Sequence, residues 1–249
     1  QILCTIFGVN IYYYGVIMAL AIATGVLVAD WAGTKYFGLK KETIIDLAPY
    51  IIIFGILGAR IYYCALNYGF YLRFPTEIIA IRHGGIAMLG GALGLWLFAK
   101  RHKLNPIKLC DTSVIGLSIA QAIGRWGNFF NSEAFGAPTN LPWKLYIAPQ
   151  YRPIPYQDYQ YFHPAFLYES ILDLAVFAIL LVLTKTGRLK KDGNLTLIYL
   201  ILYSLVRIFV EMFRLDSVMY ILGVPVAIFV SVGIIIVSTA VFIYNVKRG

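Results

Sequence analysis

The sequence predicts an all-α integral membrane protein of seven transmembrane helices, with the N-terminus outside and the C-terminus in the cytoplasm. Three observations predict it. The 249 residues are 60% hydrophobic and only 13% charged, whereas soluble domains carry about 25% charged residues. Seven apolar runs recur along the chain, most of them near the ~20 residues that cross a bilayer as helix. Thirteen of the 21 basic residues lie in alternate connections or in the C-terminal tail, which the positive-inside rule assigns to the cytoplasm.

Each span has its own justification. The first run, Ile11–Ala29, is followed by Lys35, Lys40 and Lys41, and the second, Ile45–Leu66, leads to the outer side. The third, Gly84–Ala99, is short and Gly-rich and ends in Lys100, Arg101, Lys103 and Lys108. The fourth, Val114–Phe130, opens into an extracytoplasmic loop at about 131–163, and the fifth, Phe166–Leu183, returns to Lys185, Arg188, Lys190 and Lys191. Leu195–Phe213 and Tyr220–Tyr244 complete the set, before Lys247 and Arg248. We read residues 1–249 as one polytopic membrane domain. The first run precedes lysines rather than a small-residue cleavage site, so no cleavable leader is expected. The missing initiator Met leads us to expect a few residues before Gln1. The net charge of +9 is accounted for by anchoring at the cytoplasmic leaflet, so no nucleic-acid partner is expected. Cys4, Cys64 and Cys110 fit no disulfide or metal pattern, and no metal or cofactor is expected.

Removing the loop and tail charges leaves Arg60, Arg125 and Arg207 within or near the ends of apolar runs. An arginine at mid-bilayer costs about 2.5–3.5 kcal/mol on the insertion scale. All three must therefore face the interior, an acid, or a bound anion. The densest polar cluster surrounds Arg125, in G-R-W-G-N-F-F-N-S-E-A-F-G from Gly124 to Gly136. Its glycines let a ligand or backbone approach, and its guanidinium is a planar fork suited to phosphate. Asn128 and Asn131 fall on nearly one helical face. Glu133 can orient a guanidinium or accept a proton; pairing of Arg125 with Glu133 alone is the structural alternative. In the sixth run Tyr203, Arg207 and Glu211 form one polar stripe at i, i+4 and i+8. An Arg207–Glu211 pair that only neutralises itself remains open there, beside a two-arginine anion site.

Two further segments stand out. I-R-H-G-G-I-A-M-L-G-G-A-L-G, from Ile81 to Gly94, suits close helix packing or a broken, thin segment. H-P-A-F-L-Y-E, from His163 to Glu169, marks where the loop re-enters the membrane. Pro164 suits a first helical turn, Glu169 is left inside the next run needing a partner, and His163 is either a base or a hydrogen-bonding anchor. Trp143, Tyr146, Tyr151, Tyr156, Tyr159 and Tyr161 suit a headgroup-level aromatic belt.

At these residues the chain resembles the bacterial prolipoprotein diacylglyceryl transferases, whose signature is G-R-x-G-N-F-x-N-x-E-x-x-G. Gly124, Arg125, Gly127, Asn128, Phe129, Asn131, Glu133 and Gly136 fit it at every fixed position. Tyr13–Gly15, G-A-R-I-Y-Y at Gly58–Tyr63, the glycine pairs, H-P-x-x-L-Y-E and the R-x-x-x-E of Arg207–Glu211 follow in the family's order. One position departs: the family usually has histidine, sometimes tyrosine, immediately before the second glycine pair, and here it is Leu89. A mechanism in which that side chain takes a proton cannot operate in this chain.

The resemblance implies transfer of the diacylglyceryl group of phosphatidylglycerol to the lipobox cysteine thiol of prolipoproteins, in the bacterial cytoplasmic membrane. A thioether forms and sn-glycerol 1-phosphate leaves. Arg125, Arg207, Glu211 and Tyr14 are the implied catalytic residues. Arg125, Asn128, Asn131, Glu133, Gly136 and His163 are the implied substrate-binding residues. The partners would be phosphatidylglycerol, the prolipoprotein signal peptide and the bilayer itself. The two arginines would clamp the leaving phosphate and favour thiolate over thiol. Glu211 and Glu133 would orient them, and either could take up the proton. Leu89 leaves open a catalytically impaired paralogue that binds phosphatidylglycerol or prolipoprotein. An anion or lipid transporter would normally show internal symmetry, which we do not find.

Overall fold

The computed structural model describes residues 1–6, 8–74, 76, 87–189, 191–215 and 220–248. Apolar runs become helices because hydrocarbon offers no partner to backbone N–H and C=O groups, and a helix satisfies them internally. The described helices are α1 (Tyr13–Tyr36), α2 (Thr43–Leu66), α3 (Tyr68–Arg73), α4 (Ala87–His102), α5 (Pro106–Asn131), α6 (Ala165–Thr186), α7 (Asn194–Glu211) and α8 (Val226–Lys247). Among the described residues six of them, α1, α2, α5, α6, α7 and α8, are long and apolar enough to cross a membrane. The protein is a multi-pass membrane protein. The third predicted run begins at Gly84, outside the described residues, as do Arg82, His83 and the first glycine pair. Its described part, α4, has 16 residues and is not among those six.

Strands also occur, which hydropathy does not foresee. β1 (Ile2–Ile6) pairs antiparallel with β2 (Val9–Tyr12), β3 (Leu145–Tyr146) with β4 (Tyr161–Phe162), and β5 (Tyr220–Ile221) with β6 (Val224–Pro225). The last run thus starts as a hairpin, and its helix begins only at Val226.

The chain divides into two compact units, Gln1–Val28 with Val114–Gly249, and Ala29–Ser113. In the second unit α2 packs along α4. Glycines permit it: a Cβ on Gly58 would lie 2.7 Å from Gly90 Cα, and Cβ atoms on Gly90 and Gly94 would run into the carbonyls of Phe54 and Tyr50. Small residues at a membrane interface let backbones approach this closely. Leu47, Leu95, Phe98, Ala99 and Leu109 fill the core beside that contact. Asp30 closes the start of α2 by accepting the N–H groups of Glu42 at 3.0 Å and Ile44 at 3.1 Å, an N-capping role filled from another helix. Arg60 is buried, with its guanidinium 5.1 Å from the centre of the Tyr71 ring, so an aromatic face contributes to offsetting its charge.

In the first unit α1 packs on α5 so closely that a Cβ on Gly25 would lie 2.7 Å from the Gly116 carbonyl oxygen. Polar side chains then stitch the helices together. Ser170 Oγ of α6 donates to the Ala122 carbonyl of α5 at 2.7 Å. The Tyr199 hydroxyl of α7 donates to Gln121 of α5 at 2.8 Å, and Asn245 of α8 to Asn194 of α7 at 3.0 Å. The loop before α6 carries its own small core of Phe135, Ile147 and Phe162. Arg152 pins it by donating to the carbonyls of Ile147 and Gln157. Trp143, Tyr146, Tyr151 and Tyr159 stay more than half exposed, as residues of an interfacial belt do.

The glycine contact gives a direct test. Gly90→Val forces side-chain volume into the Phe54 backbone and should destabilise the protein by about 1–3 kcal/mol or more. Thermal unfolding in detergent should show that loss, with a smaller one for Gly91→Val, whose Cβ would meet Ile51 only at ordinary contact, 3.4 Å.

Candidate active site

The end of α5 builds the first part of the site. Ser132 has a φ of +54°, its N–H bonds to Phe129 O, and Glu133 N–H reaches back to Asn128 O at 2.9 Å. These two bonds are a Schellman ending, formed with serine where glycine is usual. The left-handed residue is a local strain, and it folds Glu133 back beside its own helix. There the amides of Asn128 and Asn131 lie 3.5 and 3.4 Å from its two carboxylate oxygens. Among the described residues no ion pair joins Glu133 to Arg125.

The partner of Arg125 comes from α6. Pro164 stands at the N-cap, and Phe166 N–H bonds to Ala134 O at 2.9 Å, so the helix enters directly beneath the end of α5. Glu169 is one turn in and completely buried. Its Oε1 lies 2.7 Å from Arg125 Nη2 and 3.8 Å from Arg207 Nη1. Arg207 on α7 in turn lies 2.7 Å from Glu211, one turn further along the same helix. The two guanidiniums therefore converge on one carboxylate oxygen. The carboxylates are 0% and 2% exposed, while the arginine side chains keep 21% and 22% of their surface. Each guanidinium has five N–H donors in a fixed fork, so neither is used up by its carboxylate.

The remaining predicted residues fall into two further groups. Tyr14 on α1 lies against Gly127: a Cβ there would be 2.9 Å from the Tyr14 ring, so this glycine is required by the approach of the tyrosine. Next to it Tyr13 stacks on Phe130 with ring centres 4.5 Å apart. Gly136 is a packing position, its N–H bonding to His163 O at 2.8 Å and its missing Cβ leaving room for Phe213 O. His163 Nδ1 lies 3.0 Å from the Tyr168 hydroxyl, which also accepts the indole N–H of Trp143 at 2.9 Å. These three line an apolar cavity of about 520 Å³ with Leu167, Phe209 and Phe213. The side chain of Leu89 lies outside the described residues. Among those described, no cluster of three or more His, Cys, Asp or Glu is arranged to hold a metal.

The model of the prolipoprotein diacylglyceryl transferase family matches residues 1–244. The chain is 41% identical to the phosphatidylglycerol–prolipoprotein diacylglyceryl transferase of Synechocystis over 97% of its own length and 88% of that protein. It is 44% identical to the enzyme of that name from Synechococcus elongatus, over 96% and 86%. To the one from Clostridioides difficile it is 38% identical, over 86% and 83%. The chain belongs to the prolipoprotein diacylglyceryl transferase family.

The family signature thus coincides with the C-terminal turns and cap of α5, and H-P-x-x-L-Y-E with the entry into α6. On sequence these are separate motifs, with Glu133 as the alternative partner of Arg125 and Glu169 lacking one; the structure pairs Arg125 with Glu169. The signal for Glu169 was its position: a carboxylate one turn into an apolar span must have a cation. Asp173, four residues later on the same helix and 1% exposed, carries the same signal.

Glu169 is accordingly expected to matter more than Glu133. Glu169→Gln removes the carboxylate on which both guanidiniums converge, a change of the kind that costs about 3–5 kcal/mol. Glu133→Gln, at an exposed position, should change stability by about 0.5 kcal/mol or less. Denaturation of the two purified variants, compared with wild type, checks the difference.

Proposed function

We propose that this chain transfers the diacylglyceryl group of phosphatidylglycerol to the lipobox cysteine thiol of prolipoproteins in the bacterial cytoplasmic membrane. A thioether forms and sn-glycerol 1-phosphate is released. The observation that carries this reading is the convergence of Arg125 and Arg207 on the buried Glu169, in a chain of this family. Sulfur attacks an sp³ carbon of the lipid, and negative charge builds on the departing phosphate. Two cations held in position before the reaction, in a water-poor site, stabilise that charge without reorganisation. The same field favours the thiolate of the incoming cysteine.

Each remaining residue takes a part. Glu169 and Glu211 fix the direction of the guanidiniums. Asn128, Asn131 and Tyr14 hydrogen-bond the glycerol headgroup, with Glu133 holding the two amides in place. His163, Trp143 and Tyr168 line the apolar cavity with Leu167 and Phe213, which suits an acyl or signal-peptide side chain. In the same reading α4 completes a seventh span, the N-terminus faces outward, and the loop at 131–163 lies on the outer side. The basic connections support that orientation.

One observation favours a second reading. Leu89 stands where the family usually has histidine, so an impaired paralogue that only binds lipid or prolipoprotein is the alternative. Radiolabelled phosphatidylglycerol incubated with the protein and a lipobox peptide separates the two, since only the enzyme labels the peptide. In that assay Arg125→Lys should fail nearly as badly as Arg125→Ala, because an ammonium cannot reproduce the planar fork; transfer close to the wild-type rate would remove Arg125 from the role assigned to it.

Leu89→His should change the rate far less than loss of Arg125 does. A gain of several orders of magnitude on introducing the histidine would instead mean that a base is missing, and the impaired-paralogue reading would stand.

A further inference from the structure

A further buried carboxylate, Asp173, stands beside the arginine cluster. On α6 the buried stripe runs through Phe166, Glu169, Ser170, Asp173, Val176 and Leu180, so Asp173 lies one turn beyond Glu169 on the same face. It is 1% exposed, and neither of its oxygens has a hydrogen-bond partner among the described residues. No ion pair reaches it there either. Four groups lie within its electrostatic reach: Glu169 on its own helix, Arg125 on α5, and Tyr199 and Tyr203 on α7. Those tyrosines stack with ring centres 5.8 Å apart, and Tyr199 donates its hydroxyl to Gln121, not to Asp173.

The neighbouring charges make this position unusual. Arg125 pairs with Glu169 and Arg207 with Glu211, and Asp173 adds a further buried carboxylate one turn from Glu169. A lipid phosphodiester would add another negative charge. An uncompensated buried charge is strongly unfavourable, and two carboxylates one turn apart resist being ionised together. Their repulsion is relieved when Glu169 and Asp173 share a proton. Such a pair can accept one proton while giving up another, which is what a chain with Leu89 in place of the usual histidine requires.

We propose that Glu169 and Asp173 form a carboxyl pair holding one proton, and that Asp173, acting through Glu169, relays the proton exchanged during diacylglyceryl transfer. The inference rests on the proposed function. The cysteine S–H bond breaks and its proton passes to the pair. The C–S bond forms at the glycerol carbon as the C–O bond to phosphate breaks, with its electron pair leaving on oxygen. The proton the pair held passes to the departing phosphate, and the site regains its initial charge. Asp173 touches no substrate in this scheme; it is a positioning and relay residue behind Glu169.

The test uses the full chain in mixed micelles of detergent and phosphatidylglycerol, with a lipobox peptide as acceptor. The wild-type kcat should fall on both sides of an optimum pH, because a fully protonated pair cannot accept and a fully ionised pair cannot donate. D173N should lower kcat by about 10²-fold, the lower end of general acid–base effects, leave KM for the lipid within about twofold, and lose that two-sided profile. D173E should recover kcat to within about tenfold of wild type, with a displaced optimum. A D173N protein with kcat within about threefold of wild type overturns the relay, and so does a loss that D173E fails to recover. If D173N does not accumulate in the membrane, D173E is read alone: a displaced optimum supports the relay and an unchanged one overturns it. Absence of transfer by the wild-type protein overturns the proposed function and the relay with it, whereas normal wild-type transfer beside an indifferent D173N overturns the relay alone.

Discussion

Two guanidiniums inside apolar helices persist only if a carboxylate is brought to them, and Glu169 meets that requirement for both. Its Oε1 lies 2.7 Å from Arg125 and 3.8 Å from Arg207, so α5, α6 and α7 must meet at one point. The other contacts of this unit are arranged around that meeting. Ser170 ties α6 to α5, Tyr199 ties α7 to α5, and the loop before α6 folds so that the Ala134 carbonyl accepts the N–H of Phe166. In hydrocarbon such polar contacts stand in for the hydrophobic effect that drives helix association in water.

The same constraint that stabilises the bundle prepares it for chemistry. A carboxylate that holds a guanidinium from behind leaves the other donors of the fork pointing elsewhere, and about a fifth of each arginine remains accessible. Structural neutralisation and anion binding are therefore compatible uses of one residue. The charges are paired, and part of each guanidinium stays uncovered.

Backbone detail at the end of α5 serves the same purpose. Ser132 adopts a left-handed conformation normally left to glycine, and the turn it makes returns Glu133 to Asn128 and Asn131. Gly127 gives up a side chain so that Tyr14 can lie against the helix. Gly136 does so for the crossing of the His163 and Phe213 strands of chain. Signature positions here divide into those that offer polar groups and those that create the space in which the offered groups can meet.

Hydropathy located the six membrane-length helices, because burying a backbone in lipid has few solutions and each leaves a long apolar run. The sequence alone also located the polar cluster at Gly124–Gly136 and the Arg207–Glu211 stripe, since charges are conspicuous where they are expensive. Helix ends were less legible: the final run loses Tyr220–Pro225 to a hairpin, because short strands at a span's edge carry the same apolar residues as the span. The Arg207–Glu211 pair was legible from its i, i+4 spacing, and the partner of Arg125 was not. Glu133 is near Arg125 in sequence and Glu169 is distant, yet a Schellman turn directs the first toward asparagines while helix packing delivers the second. Periodicity fixes the face a residue occupies on its own helix; only the tertiary structure decides what that face meets, because pairing depends on crossings between segments far apart in the chain.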